Sequence, residues 1–235
     1  MRKHLFTLLL IGCLYSTTQA GEPISFGIHS SLDFCYRRLT NSSSDQWIKS
    51  IIDDRNKTET IRNGFTAGLL ISKPYKQLTF EAGLNYASKG YRTKQIAVRF
   101  NISNPNTDEF VIFKYHYNYL DVPLKIYRNF ERSKTTYRIG VGFVNSFYIN
   151  NRVKSLYYDG SQFERKTSSD SGFYDYNNYH ISLTASVGLI KPLNENLSLG
   201  ADIQALYGVS SFINARIHGM FWNLGLNASL YYKMD

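Results

Sequence analysis

The feature that most constrains this chain is a period-two alternation of apolar and polar residues that returns again and again with turn signals between the copies. In the first copy Ile24, Phe26, Ile28, Leu32, Phe34 and Tyr36 share one parity, and Ser25, Gly27, His29, Ser31, Asp33 and Arg37 share the other. Leu78, Phe80, Ala82, Leu84 and Tyr86 stand in the same relation to Thr79, Glu81, Gly83, Asn85 and Lys89. Tyr137, Ile139, Val141 and Phe143 oppose Arg138, Gly140, Gly142 and Ser146. Comparable rows surround Leu69, Leu183, Ile203 and Leu226. Successive side chains of a strand point to opposite faces, so each copy predicts a strand with one apolar and one polar face. Abundant Tyr and Phe, 19 and 15 copies, suit such strands.

One strand is less regular. Between Phe110 and Tyr127 the apolar parity passes from Phe113, Tyr115, Tyr117 and Tyr119 to Val122, Leu124 and Ile126. A β-bulge near Asp121 would restore the facing, and Pro123, which cannot donate to a ladder, suits such a place. That makes eight strands.

The connections alternate in length. Short links are expected around Pro74 to Gln77, Asn129 to Thr135 and Lys191 to Asn196. Those around Leu39 to Thr60, Thr93 to Glu109, Asn151 to Gly172 and Ser211 to His218 are mostly long and polar. One end of the sheet therefore carries tight turns and the other large loops, the asymmetry of outer-membrane barrels. The fold class expected is all-β, an eight-stranded antiparallel up-and-down transmembrane β-barrel with both termini at the periplasmic end.

The chemistry of the two faces separates this from a soluble sandwich. A solvated face would carry many Lys, Glu and Thr, but this polar face is dominated by Gly, Ser, Thr and Asn with isolated charges. Small residues suit a crowded lumen, and eight strands leave just enough room for inward side chains to fill it. Tyr36, Tyr86, Tyr207, Trp222 and Tyr232 sit toward strand ends, where interfacial aromatics belong. His29, Asp33, Glu81, Arg138 and Asp202 are then expected to form a lumen network, with Glu81 or Asp202 within reach of Arg138, because a buried charge is tolerated only when paired.

Residues 1–20 read as a secretory leader, with Arg2 and Lys3 before an apolar run and Thr18-Gln19-Ala20 as the cleavage site, so the barrel domain is expected over residues 21–235. Leu10-Ile11-Gly12-Cys13 offers a competing lipobox reading, in which Cys13 is lipidated. Cleavage at Ala20 would leave Cys35 alone, excluding a disulfide or a metal site built on cysteine pairs. Loss of Arg2 and Lys3 would take the formal charge from +9 to +7. That excess suits the lipid and lipopolysaccharide of an outer membrane, and no Lys/Arg cluster singles out nucleic acid.

Two segments carry a family resemblance. FEAGLNYASKGYR (80–92), through Glu81, Tyr86, Lys89 and Gly90, and NYLDVPLKIYR (118–128), through Tyr119, Leu120, Pro123 and Leu124, resemble the PorT-like outer-membrane β-barrel family of Bacteroides-type Gram-negative bacteria. The resemblance implies an exported eight-stranded outer-membrane barrel and, through a founding member associated with protein secretion, a link to the secretion machinery, while most members have no assigned activity. The function expected here is a non-enzymatic anchoring or interaction scaffold that presents surface loops to another envelope or secretion protein, since binding groups gather on loops held by a rigid scaffold. The chain departs from many bacterial barrels in ending Tyr231-Tyr232-Lys233-Met234-Asp235 and not in an aromatic residue.

Enzymatic readings are weaker. His29, Ser31 and Asp33 lie along one strand face roughly 6–7 Å apart, too far for a direct relay. His180 and Ser182 form a His-x-Ser pair similar to that of outer-membrane lipid A deacylases, but Leu183 stands where asparagine is expected and the nearest downstream acid, Glu195, falls in a turn. That alternative, a lipid A-modifying enzyme, needs the pair to face the membrane. A soluble exported lipid-binding barrel is a third reading. Asp53 and Asp54 lack further ligands for a cation, and no phosphate-binding glycine loop or nucleophile elbow is present, so no cofactor is expected. The tyrosine-rich stretches Tyr157-Tyr158 and Phe173-Tyr174-Asp175-Tyr176 are the candidate partner contacts.

Overall fold

The computed structural model describes residues 23–41, 45–97, 109–158, 163–168, 176–213 and 215–234. The predicted leader, 1–20, and Phe173, Tyr174 and Asp175 lie outside the described residues. The strands are β1 (Ser25–Asn41), β2 (Glu59–Thr60), β3 (Arg62–Tyr75), β4 (Leu78–Thr93), β5 (Ile96–Ala97), β6 (Phe110–Arg132), β7 (Thr135–Tyr158), β8 (Phe163–Ser168), β9 (Tyr179–Pro192), β10 (Leu197–Gly208) and β11 (Ile217–Lys233). A helix, α1 (Gln46–Thr58), follows β1.

Eight of these strands close a ring by antiparallel pairing in the order β1, β3, β4, β6, β7, β9, β10, β11 and back to β1. Closure leaves the ring without a free edge, which hydrocarbon requires because an unpaired N–H or C=O has no water to bond there. Short turns join β3 to β4, β6 to β7 and β9 to β10; long connections lie at the opposite end. Met234 N donates to Ile24 O at 2.9 Å, so the two ends of the described barrel meet at the short-turn end.

The apolar rows face outward. Leu32, Leu69 and Val141 are 69, 62 and 62 % exposed, which no water-facing or sandwich-core residue of this kind would combine with such regularity. Aromatics edge this band. Tyr36 meets Trp222 at 5.8 Å and Phe147 meets Tyr179 at 5.3 Å on the long-loop side, and exposed Tyr137 and Tyr232 stand on the other. From Trp222 to Tyr232 the band is roughly 25 Å tall at the usual strand rise and tilt, the height of an outer-membrane apolar belt.

Two local expectations are corrected. The parity of β6 does not change at Asp121: Tyr117, Tyr119, Asp121, Pro123, Lys125 and Tyr127 are all buried on the inner face, and Leu120 and Ile126 are exposed on the outer one. The register shift falls opposite Asn118 and Tyr119, where β7 carries Ile149 as an extra residue between the partners Tyr148 and Asn150. The β6 tyrosines therefore fill the lumen. The stretch after β1 is also no plain loop. Asp45 caps α1 by accepting from Trp47 N at 3.0 Å, and Ile48 and Ile52, one turn apart, pack on Leu39 with Ile217 beside them.

Beyond the apolar band β6 and β7 continue as a projecting sheet, with Phe110 to Asn118 paired to Tyr158 to Asn150. Short β5 and β8 flank it. Among the described residues no helix is long and apolar enough to cross a membrane.

Candidate functional site

The lumen is filled by side chains in three tiers. At the short-turn end Arg138 Nε donates to Asp202 Oδ1 at 2.8 Å, and its Nη2 bonds Asp202 Oδ2 and the Tyr231 hydroxyl, the latter at 3.0 Å. The Tyr231 hydroxyl donates to Glu81 Oε2 at 2.9 Å, and Lys125 Nζ lies 3.7 Å from Glu81 Oε1. The Arg138 guanidinium sits 4.3 Å from the Tyr127 ring centroid. Arg138 is 1 % exposed, so its partners replace water completely.

Glycine makes the room. A Cβ on Gly140 would stand 2.4 Å from Cδ1 of Tyr127, and one on Gly188 would stand 2.1 Å from Asp202 Oδ1. The small residues of the inner rows are thus the negative image of the large ones.

In the middle tier His29 Nε2 and Asn85 Oδ1 are 2.8 Å apart. Asp33 accepts from Ser31 Oγ and Thr66 Oγ1, both at 2.6 Å. Of the five residues singled out from the sequence, Glu81, Arg138 and Asp202 come together, whereas His29 and Asp33 bond neutral partners higher in the lumen. Lys89 Nζ meets Asp121 Oδ2 at 2.8 Å and Ser146 Oγ at 2.9 Å. Lys125 Nζ donates to Gln204 Oε1 at 2.9 Å. Asp121 and Lys125 were missed; they share the odd row of β6 with Tyr115, Tyr117 and Tyr119, whose inward turn local alternation does not reveal.

At the long-loop end the lumen closes on rings. Phe212 and Phe221 stack at 3.9 Å, Tyr117 packs against both, and Tyr91 stacks on Tyr115 at 4.6 Å. Arg37 lies 3.7 Å over the Tyr91 ring and bonds Glu59, its Nε donating at 2.9 Å to Oε2. This buried pair joins β1 to the strand after α1 and was not expected from the sequence, because Glu59 lies in a stretch read as a solvated loop.

His180 and Ser182 face the lumen, 1 and 0 % exposed. Neither His180 ring nitrogen nor Ser182 Oγ has a hydrogen-bond partner among the described residues, and His180 packs edge-on against Tyr119 at 4.7 Å. No described carboxylate orients the imidazole, a requirement of a Ser-His relay. Asp53 and Asp54 are exposed on α1, Asp54 lying 3.8 Å from Lys57, and no metal-ligating group of three or more residues is present among those described.

A closed ring of eight tilted strands, apolar outside and packed with paired charges inside, defines an integral outer-membrane β-barrel. The sequence itself matches the outer membrane protein beta-barrel domain family over residues 19–214, and the chain belongs to that family. No curated protein matches it. Among solved structures it is similar to neisserial surface protein A, at 14 % identity and a TM-score of 0.46, with 92 % of this chain and 100 % of that chain covered. It is also similar to the outer membrane protease OmpT of Escherichia coli, at 9 % identity and a TM-score of 0.42, covering 93 % of this chain and 100 % of that one. The N-terminal β-barrel domain of Pseudomonas aeruginosa OprF aligns at 12 % identity and a TM-score of 0.36, covering 90 and 99 %.

Proposed function

We propose that this protein is a sealed, non-enzymatic anchor, held in the outer membrane with both termini periplasmic, that presents a binding surface to another envelope or secretion protein. The observation that carries the reading is the tiered lumen. Rings close one end, the Arg138 cluster closes the other, and the charged groups between them are paired or hydrogen-bonded, so transport and lumenal catalysis have little space. The projecting sheet of β5 to β8 and helix α1 then form the part available to a partner, since groups on a rigid scaffold are where binding gathers. Tyr157 and Tyr158 lie in that sheet.

Membership of the PorT-like branch is supported by the duties of its motif residues. Glu81 and Lys89 are lumen ion-pair members, Tyr119 fills the lumen, and Gly90 has φ +147° with the Tyr115 carbonyl where a Cβ would be. A secretion link would follow from that branch. The test is twofold: planar-bilayer recording, where no steady conductance is expected, and photo-crosslinking from positions 157 and 158 in cells. Crosslinks to an envelope protein support the scaffold; a conducting pore, or crosslinks to lipid alone, would sink it.

A further inference from the structure

Three cations stand in a line across neighbouring strands of the outer wall. Arg92 of β4 is registered opposite Lys114 of β6, and Lys114 opposite Lys154 of β7. The next row brings His116 opposite Arg152. These residues border a cleft of 440 Å³ into which Arg62 also turns, its Nη1 donating to Lys89 O at 2.7 Å and its Nη2 to Ser88 Oγ at 3.0 Å. No salt bridge joins Arg62, Arg92, Lys114 or Arg152 to a carboxylate among the described residues. Like charges placed directly opposite on adjacent strands destabilise a sheet, so the facing pair Arg92 and Lys114 calls for an anion. His116 Nε2 is buried without a hydrogen-bond partner among the described residues.

The height of the cleft says which anion. His116 lies four residues beyond Leu120, the last exposed apolar residue of the outer row of β6, and therefore ~10 Å above the band at ordinary rise and tilt. Lysine and arginine at that level reach back to the headgroup layer. Three cations one strand apart span ~10 Å, wider than one phosphate and suited to a headgroup carrying several.

We infer that the cleft bordered by Arg62, Arg92, Lys114, His116 and Lys154 binds the phosphorylated headgroup of an outer-leaflet glycolipid. The inference rests on the orientation proposed above, with the long loops outside. The depressed titration of His116 agrees with it: burial first, and then the nearby Arg62, Lys154, Lys114 and Arg152, lower its pKa to about 3.

The test uses full-length protein in phosphatidylcholine nanodiscs doped with bis-phosphorylated lipid A, with bound glycolipid counted by native mass spectrometry after transfer to neutral detergent. Wild type should retain the glycolipid, and the R92Q/K114Q/K154Q variant should bind at least tenfold more weakly. A K76Q/K134Q control at the short turns should match wild type, and dephosphorylated lipid A should be lost. Millimolar inorganic phosphate should compete only weakly. Arg92, Lys114 and Lys154 stand on the outer row, and folding of each variant is checked by heat-modifiable gel mobility, with K114Q alone as a milder variant. Equal retention by wild type and cleft variant, indifference to the phosphates, no retention at all, or tighter binding of a sulfated polysaccharide would overturn the inference. The discs expose both ends, so this result is independent of orientation. Labelling of a D54C variant by an impermeant maleimide in intact cells decides orientation separately.

Discussion

Lys89 Nζ, carried by β4, lies 2.8 Å from Asp121 Oδ2, carried by β6, and both side chains are almost fully withdrawn from solvent, at 1 and 4 % exposure. The pair joins two segments that sequence reading singled out separately, 80–92 and 118–128, and Ser146 of β7 completes the contact. It ties three consecutive strands of the ring together from inside.

Removing one partner leaves the other charge buried alone. Asp121→Asn or Lys89→Met is expected to destabilise the folded barrel by ~3–5 kcal/mol, whereas replacing both partners by apolar residues should restore most of the loss. Urea titration in detergent micelles, followed by the mobility of unheated samples, measures both; equal losses in the single and double variants would refute the pairing.

Gly188→Ala should loosen the Arg138 cluster. The new Cβ meets Asp202 Oδ1 at 2.1 Å and the Ala201 carbonyl at 2.3 Å, and the backbone atom cannot swing away. A loss of ~1–3 kcal/mol is expected, as for other overpacked interiors. Ala201→Gly at the neighbouring outward position is the control, and an unchanged midpoint for Gly188→Ala would contradict the close approach.

His116 should stay neutral through ordinary pH. Burial first, and then Arg62, Lys154, Lys114 and Arg152, hold its folded pKa at about 3, below the ordinary 6.5. The unfolded chain takes up a proton that the folded one refuses, so stability present above pH 6.5 declines as pH falls from there toward 3. Histidine NMR should show no His116 titration between pH 8 and 4.5, and the R92Q/K114Q/K154Q variant should move its midpoint upward. A wild-type midpoint near 6.5 would contradict the crowding of cations.

His180→Ala with Ser182→Ala should leave lipid A unaltered. Both groups are inside the wall, and no described carboxylate supports a relay. Mass spectrometry of lipid A from cells with the wild-type or doubly substituted protein should give the same acylation pattern, and a deacylated species confined to the wild type would establish the enzymatic alternative.

The eight strands of the ring, the alternation of short and long links and the outward face were legible because they depend on local alternation, which one-residue parity sets; the short β2, β5 and β8 were not. Glu81 and Arg138 were legible as a pair because charges on an inner row have no water to turn to. The sequence could not show that Tyr115, Tyr117 and Tyr119 turn inward. An aromatic residue is at home both in lipid and in a packed lumen, and only the register of β4, β6 and β7 decides between them. The Lys89–Asp121 pair, the Arg37–Glu59 pair and the line from Arg92 to Lys154 have the same origin. Each joins residues far apart in the chain, and their approach follows from strand register and shear around the ring, quantities that no single strand contains.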